Sequence, residues 1–215
     1  MDNDTGKQMN DLTLFSMPSS GNSYKARLLL SFLGLNYRHV GMEYETPELA
    51  SAHAEGRLPL KKLPVLELGD GTRIPESNAI LCYLADNSDW LPDDRVLRAK
   101  VLSWMFWEQN QHEGTVAVRA ALLTYPHRKH LATSERLADL LDAGHERLRQ
   151  MEDRLSGDHW IATDSATIAD IALYAYTHSA GSKGGFDLSQ FPGITAWLSR
   201  FAALPGYVGL DDIPE

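Results

Sequence analysis

The sequence predicts a mixed α/β domain followed by an all-helical domain, and three features of the chain support this. Segments with the apolar pattern of strands alternate with helical patterns between residues 12 and 87. Turn-forming and acidic residues interrupt the pattern at 88–94. Beyond this interruption almost every patterned segment has helical spacing. Strands that alternate with helices need crossover connections, so we expect a mixed sheet that contains parallel strands.

The predicted elements of the first domain come in the order βαβαββα. They are a strand at 12–16, a helix that ends at Gly34, a strand at 37–40, a helix at 47–54, strands at 65–68 and 72–74, and a helix at 77–86. The apolar residues of the first helix recur at helical spacing, namely Ala26, Leu29, Leu30 and Leu33. Gly69-Asp70-Gly71 is typical of a tight hairpin turn, which adds an antiparallel pair to the sheet.

The second domain is predicted to consist of helices, at 95–123, 134–155, 167–178 and 194–204. The chain therefore divides into four predicted parts. They are a disordered N-terminal tail at 1–11, the α/β domain at 12–87, a linker at 88–94 and the helical domain at 95–215.

A capping box is predicted at the start of the helix at 167–178. Thr167 can cap the helix while Asp170, three residues later, accepts a hydrogen bond from the backbone of Thr167. Ala166 and Ile171 stand at the two positions of a hydrophobic staple. These residue types serve folding, so we assign them no catalytic role.

The composition excludes several classes of function. The chain has 215 residues, of which 43% are hydrophobic, and its net charge of −9 disfavours nucleic-acid binding. No apolar run approaches the roughly 18 residues of a membrane span, and the first residues lack the pattern of a signal peptide. A single cysteine suits the reducing cytoplasm, and His127 and His130 have no third metal ligand nearby in the sequence. We therefore expect a cytoplasmic protein that binds no metal, nucleic acid or membrane.

Four motifs are spread over most of the chain after residue 11. They are Ser20-Gly21-Asn22-Ser23-Tyr24-Lys25 after the first strand, Lys62-Leu63-Pro64-Val65-Leu66 before the hairpin, Pro75-Glu76-Ser77-Asn78-Ala79-Ile80-Leu81 with Tyr83 and Leu84 at a helix start, and the capping box. In order and spacing they resemble the cytosolic glutathione transferase family. The resemblance implies a thioredoxin-like fold for the first domain. It also implies a homodimeric transferase that uses glutathione as co-substrate in detoxification.

The resemblance implies contacts between the second motif and glutathione. Leu63-Pro64 corresponds to the family's cis-proline, which exposes the backbone of Leu63 to the cysteinyl amide of glutathione. Lys62 corresponds to a cation that binds an oxygen of glutathione, and the adjacent Lys61 is the alternative. Taken without the other motifs, Pro64 is equally suited to open an edge strand, and a solvated surface position suits Lys62.

The third motif corresponds to the part of the family's site that binds the γ-glutamyl end of glutathione. Ser77 stands in the first turn of a helix, where free N–H groups and a hydroxyl suit a carboxylate. Glu76 suits the ammonium group. The alternative is that Ser77 only caps the helix and that the negative charge of Glu76 only interacts with the positive end of the helix dipole. This alternative is compatible with ligand binding.

The first motif is the predicted catalytic site. Several classes of the family place a Ser, Cys or Tyr at the end of the first strand, and counting back from Arg27 puts Ser20 in that position. Asn22 resembles a bacterial branch in which an asparagine amide also holds the sulfur, and Ser23 is expected to contact glutathione. One hydroxyl donor can lower a thiol pKa from about 8.5 to about 6.5–7.5. The alternative is a turn and N-cap without a ligand.

The reaction is less well defined than the site. A thioredoxin or glutaredoxin mechanism is excluded, because the turn has no cysteine and Cys82 lies in a predicted helix. An electrophile is expected between the domains against Trp104, Trp107 and Gln111, although such a helical stripe more often serves packing. Conjugation, peroxide reduction and disulfide exchange stay open, as does a glutathione-binding protein without activity.

Overall fold

The structure is a computed structural model that describes residues 11–157 and 159–214. The tail that the sequence predicts at 1–11 therefore lies outside the described residues, apart from its last residue. Within the described ranges, no helix is both long and apolar enough to cross a membrane.

The chain forms the two kinds of domain that the sequence predicts. The strands are β1 (Leu12–Ser16), β2 (Tyr37–Gly41), β3 (Val65–Glu67) and β4 (Arg73–Pro75). The α-helices are α1 (Gly21–Phe32), α2 (Pro47–Ala54), α3 (Ser77–Ala85), α4 (Arg95–Trp107), α5 (Val118–Thr124), α6 (Ser134–Leu155), α7 (Ile168–Thr177), α8 (Ala180–Gly184) and α9 (Pro192–Ala202). A π-helix (Glu108–Ala117) joins α4 to α5, and short 3₁₀ helices occupy Pro126–Leu131 and Leu188–Gln190.

The four strands form one mixed sheet in the order β2-β1-β3-β4. β1 runs parallel to β2, from the pair Leu12 and Tyr37 to the pair Ser16 and Gly41. β1 is antiparallel to β3, and β3 is antiparallel to β4. All five residues of β1 are buried, as expected for a central strand that is covered on both faces. The predicted thioredoxin-like βαβαββα domain with a helical second domain is confirmed.

The described chain divides into two compact units. The first unit contains residues 11–86 together with 205–214, and the second contains residues 87–204. The domain limits predicted from the sequence assigned 205–214 to the helical part. In the structure these ten residues, called the C-terminal segment below, belong to the unit that contains the sheet. They form hydrogen bonds with side chains of α1.

The long helix predicted at 95–123 is interrupted in the structure. Its middle ten residues, Glu108–Ala117, form a π-helix, in which each turn is wider than in an α-helix. This stretch is polar and contains Gly114, which lowers the local preference for a regular α-helix. Glu108 and His112 nevertheless lie fully buried within it.

The predicted capping box is confirmed at the start of α7. Asp170 Oδ2 accepts from the backbone N–H of Thr167 at 2.9 Å. Asp170 Oδ1 accepts from Ile161 N–H and from Trp197 Nε1, each at 3.0 Å. Burial raises the pKa of Asp170, whereas these donated hydrogen bonds oppose the rise by favouring the carboxylate. The carboxyl group therefore joins α7, α9 and the loop before α7.

Candidate functional site

The turn between β1 and α1 leaves one hydroxyl unengaged. Ser20 is the N-cap residue of α1, with an extended backbone, and its side chain makes no capping hydrogen bond. Among the described residues, no hydrogen bond of the Ser20 hydroxyl occurs, and the side chain is only partly buried. Free N–H groups at a helix start favour an anion at the same place. Ser20 is thus a hydroxyl donor at the positive end of a helix.

The two neighbouring serines have structural partners. The hydroxyl of Ser23 is fully buried and accepts from the N–H of Met17 at 2.9 Å. The carboxylate of Glu43 accepts from the N–H of Ser19 at 2.8 Å and from its hydroxyl at 3.0 Å. Ser23, which the sequence predicts to contact glutathione, therefore supports the turn from inside.

The structure brings the first and third motifs together. Ser77, at the start of α3, donates its hydroxyl hydrogen to Asn22 Oδ1 at 3.0 Å. Close by, Lys25 Nζ lies 3.4 Å from Asn78 Oδ1. The amide oxygen of Asn22 is thereby an acceptor for Ser77, so its amide nitrogen is the group that can donate to an anion.

Glu76 has an unusual backbone conformation. It precedes α3 with φ = 72° and ψ = 119°, and its side chain is exposed. A non-glycine residue with positive φ costs on the order of 1–3 kcal/mol and occurs preferentially at functional sites. Ser77, by contrast, is almost completely buried beside it.

The second motif contains a cis peptide bond between Leu63 and Pro64, in agreement with the family resemblance. Pro64 is buried and leads into β3, whereas Leu63 is partly buried. Within the described part of the chain, the backbone groups of Leu63 have no hydrogen-bond partner. Lys61 and Lys62 are both exposed, and Lys61 has a positive φ of 56°.

The residues predicted to line a second-substrate site lie in the second unit. Trp104 and Trp107 are both partly buried, and their rings meet edge to face with centroids 5.2 Å apart. Gln111 lies in the π-helix, partly buried, and its amide nitrogen donates to Asn110 Oδ1 at 3.1 Å. No group of three metal-binding side chains occurs in the ranges 11–157 and 159–214.

The sequence did not indicate two residues that hold the turn between β1 and α1. Glu43 binds Ser19 from the loop after β2, and nothing in its local sequence indicates this. Arg27 is buried in α1 and donates to the carbonyl of Pro18 at 3.2 Å. An arginine within a helix that is mostly buried was the available signal for Arg27.

His39 makes the stability of the first unit sensitive to pH. Its Nε2 lies 2.6 Å from the hydroxyl of Ser16 in the neighbouring strand. Burial, and secondly the charge of Arg27, lower the pKa of His39. Because the pKa of His39 is lower in the folded state, the unfolded chain binds more protons than the folded one as the pH falls. The contribution of neutral His39 to stability is therefore fully present above about pH 6.5, and it is lost as the pH falls through the lowered folded-state pKa.

We therefore expect His39→Gln to weaken the acid sensitivity of this unit. The measurement is native-state hydrogen exchange of the β1 amides between about pH 7 and pH 5, where the wild-type protein should lose protection. His53→Gln, at an exposed position, is the matched control and should behave like wild type. Equal pH dependence in wild type and His39→Gln would contradict the assignment.

The fold agrees with comparisons of the chain with known proteins. Residues 10–86 match the N-terminal domain model of glutathione S-transferases, and residues 115–205 match the C-terminal domain model. The chain belongs to the glutathione S-transferase family.

Two relatives illustrate this membership, and a third protein shares the fold. A crystal structure of a glutathione S-transferase from Pseudomonas fluorescens [Pf-5] is 40% identical, with a TM-score of 0.87 over 94% of this chain and 99% of that one. The glutathione S-transferase-like protein LUC7 of Fusarium sp is 26% identical over 87% of this chain and 86% of its own length. Ure2p, solved in complex with glutathione, has a TM-score of 0.81 at 21% identity over 92% of this chain and 91% of that one. URE2 of Saccharomyces cerevisiae is described as a transcriptional regulator.

Proposed function

We propose that the protein is a glutathione transferase in which Ser20 stabilises the thiolate of glutathione for attack on an electrophile. The observation that carries the proposal is the Ser20 hydroxyl, which has no hydrogen bond among the described residues. Both neighbouring serines, Ser19 and Ser23, have partners in the turn. A turn that engages two hydroxyls and leaves the third at a helix start is suited to bind an anionic sulfur there.

The chemistry needs no general base. A hydrogen bond to a charged group contributes roughly 1.5–3 kcal/mol, and one pKa unit corresponds to about 1.36 kcal/mol. The Ser20 hydroxyl alone would therefore lower the thiol pKa by about 1–2 units. The N-terminus of α1 and the amide nitrogen of Asn22 add favourable potential. Thiolate becomes abundant near neutral pH, and the proton leaves to solvent.

The rest of glutathione is assigned to the other two motifs. The γ-glutamyl carboxylate is assigned to the backbone N–H groups at the start of α3, where Ser77 stands, and the γ-glutamyl ammonium group is assigned to Glu76. The backbone of Leu63 pairs with the cysteinyl amide, and Lys62 binds the glycyl carboxylate. The strained backbone of Glu76 and the unpaired backbone groups of Leu63 among the described residues support this assignment.

The electrophile is proposed to be a hydrophobic compound that binds against Trp104, Trp107 and Gln111. All three side chains are partly exposed, and the rings of Trp104 and Trp107 are in edge-to-face contact. We further propose that the enzyme is a cytoplasmic homodimer with a role in detoxification. Phe106 on α4 is 71% exposed, and an aromatic side chain of this kind suits a subunit interface.

Two other functions are supported by particular observations. Asn22, held by Ser77, favours a glutathione-dependent disulfide reductase or peroxidase that uses the same site. The likeness to a transcriptional regulator, URE2, favours a glutathione-binding protein without catalysis.

Calorimetry with glutathione, followed by three assays, separates these functions. The proposed transferase binds glutathione and conjugates a chloronitrobenzene, whereas a reductase or peroxidase prefers hydroxyethyl disulfide or cumene hydroperoxide. Binding without turnover of any of the three substrates would identify the non-catalytic protein. Absence of binding by a folded sample would overturn all three.

A further inference from the structure

Three side chains on one face of α1 bind the C-terminal segment. Tyr24, Arg27 and Ser31 are spaced by three and four residues, so they lie along one side of the helix. They meet alternate carbonyl oxygens: Ser31 Oγ lies 2.7 Å from Gly206 O, Tyr24 Oη lies 2.6 Å from Val208 O, and Arg27 Nη2 lies 2.8 Å from Leu210 O. The segment is therefore attached along α1, the helix whose start carries Ser20.

Arg27 extends this attachment to the catalytic turn. The same nitrogen, Nη2, lies 3.2 Å from the carbonyl oxygen of Pro18, two residues before Ser20. One guanidinium group thus joins a carbonyl of the turn to a carbonyl 192 residues later in the chain, counted from 18 to 210. No hydrogen bond joins Ser31 to the turn in the part of the chain that the structure describes.

The burial of Arg27 is costly. Its side chain is 1% exposed, and Nε and Nη1 have no hydrogen-bond partner among the described residues. Buried N–H groups without partners destabilise a fold, and a charged group increases the cost. Burial lowers the pKa of Arg27, and Tyr37, Tyr24, Asp211 and Asp212 oppose this. Packing alone would be served better by an apolar side chain of similar length.

We propose that Arg27 is a positioning residue that ties the C-terminal segment to the Pro18 carbonyl and so holds the Ser20 hydroxyl in place. The inference rests on the proposed function, because the position of Ser20 matters only if its hydroxyl binds the sulfur. A displacement of about 1 Å in a reacting group can reduce a rate by about 100-fold. The C-terminal segment then acts on catalysis through Arg27.

The test compares Arg27→Met with Ser31→Ala. Arg27→Met keeps the length of the side chain and removes the bridge, so we expect the pKa of enzyme-bound glutathione to rise and kcat to fall about 10-fold, with a smaller change in KM. Ser31→Ala removes a contact between the same segment and α1 but no contact with the turn. It should lower stability and leave the thiol pKa unchanged. Arg27→Lys, which keeps the charge and a donor, should recover part of the loss.

A second variant tests whether Arg27 acts through the segment. Asp212 Oδ2 accepts from the N–H of Gly209 at 2.7 Å and so shapes the turn that presents the Leu210 carbonyl. Asp212→Ala should loosen that turn, and its effect on kcat should be smaller in an Arg27→Met background than in wild type. Fully additive effects of the two changes would overturn the inference.

Hydrogen exchange separates this inference from the proposed function. In ligand-free protein, Arg27→Met should speed exchange of the Ser20 amide, which bonds to Met17 O at 3.0 Å, more than Ser31→Ala does. Equal exchange rates of the Ser20 amide in the two variants would overturn the role of Arg27 and would leave the proposed function standing. Absence of glutathione binding by the wild-type protein overturns the proposed function, and the exchange experiment then still measures whether Arg27 holds the turn.

Discussion

Replacing Ser20 by alanine is expected to raise the pKa of enzyme-bound glutathione by about 1–2 units and to lower kcat/KM near neutral pH by about 10–100-fold. The reason is the loss of the hydroxyl donor to the thiolate. The dissociation constant of glutathione should change far less, because the proposed function assigns the rest of the tripeptide to the other two motifs. Thiolate formation is followed by its ultraviolet absorbance across a pH titration, and affinity is measured by calorimetry.

Ser199→Ala is the matched control for this prediction, since Ser199 is an α9 serine that bonds only to a backbone carbonyl of its own helix among the described residues. It should leave the thiol pKa and kcat/KM at wild-type values. The pH–rate profile of Ser20→Ala should shift to higher pH by the same amount as the thiol titration. If catalysis and affinity fall equally while the thiol pKa stays constant, Ser20 does not stabilise the thiolate.

Replacing Asp170 by alanine is expected to reduce the free energy of unfolding of the second unit by on the order of 3–5 kcal/mol. The change leaves four donors without their acceptor, namely the N–H groups of Ile161 and Thr167, the hydroxyl of Thr167 and the indole N–H of Trp197. Asp170 is fully buried, so water does not replace the carboxylate readily.

Tryptophan fluorescence in urea measures this loss selectively. All five tryptophans of the chain lie between residues 87 and 204, so their emission reports the second unit. Asp187→Ala provides the comparison, because Asp187 caps a short 3₁₀ helix at the surface and should cost about 1 kcal/mol at most. Asp170→Asn keeps one acceptor oxygen and should fall between the two. If Asp170→Ala and Asp187→Ala reduce the free energy of unfolding by similarly small amounts, the buried carboxylate does not contribute strongly to the stability of the second unit.

Most secondary structure followed from the sequence because its signals are local. The predicted strand at 12–16 and the predicted helices at 47–54 and 134–155 match the observed limits. The capping box was equally predictable, since four residues contain both partners. The π-helix was not, because a single long helical pattern does not reveal which turn is widened.

The candidate site was predictable as a set of motifs and not as a set of contacts. The pattern placed Ser20, Asn22 and Ser23 in one turn, and the structure distinguishes them by their partners. Ser23 supports the Met17 amide, and Asn22 accepts from Ser77, 55 residues away. Ser20 has no hydrogen-bond partner among the described residues. No periodicity or residue spacing in the sequence indicates a contact between residues as far apart as Asn22 and Ser77.

The sequence by itself determined the two domain types, the order of the elements and the family, because periodic burial and short motifs are properties of neighbouring residues. Only the tertiary structure decided how the turn between β1 and α1 is held. Glu43 reaches Ser19 across 24 positions, and Arg27, which also contacts the turn, reaches Leu210 across 183 positions. These contacts depend on how distant segments pack on α1 and β1. Packing of this kind depends on the fold as a whole, and it cannot be predicted from the pattern of neighbouring residues.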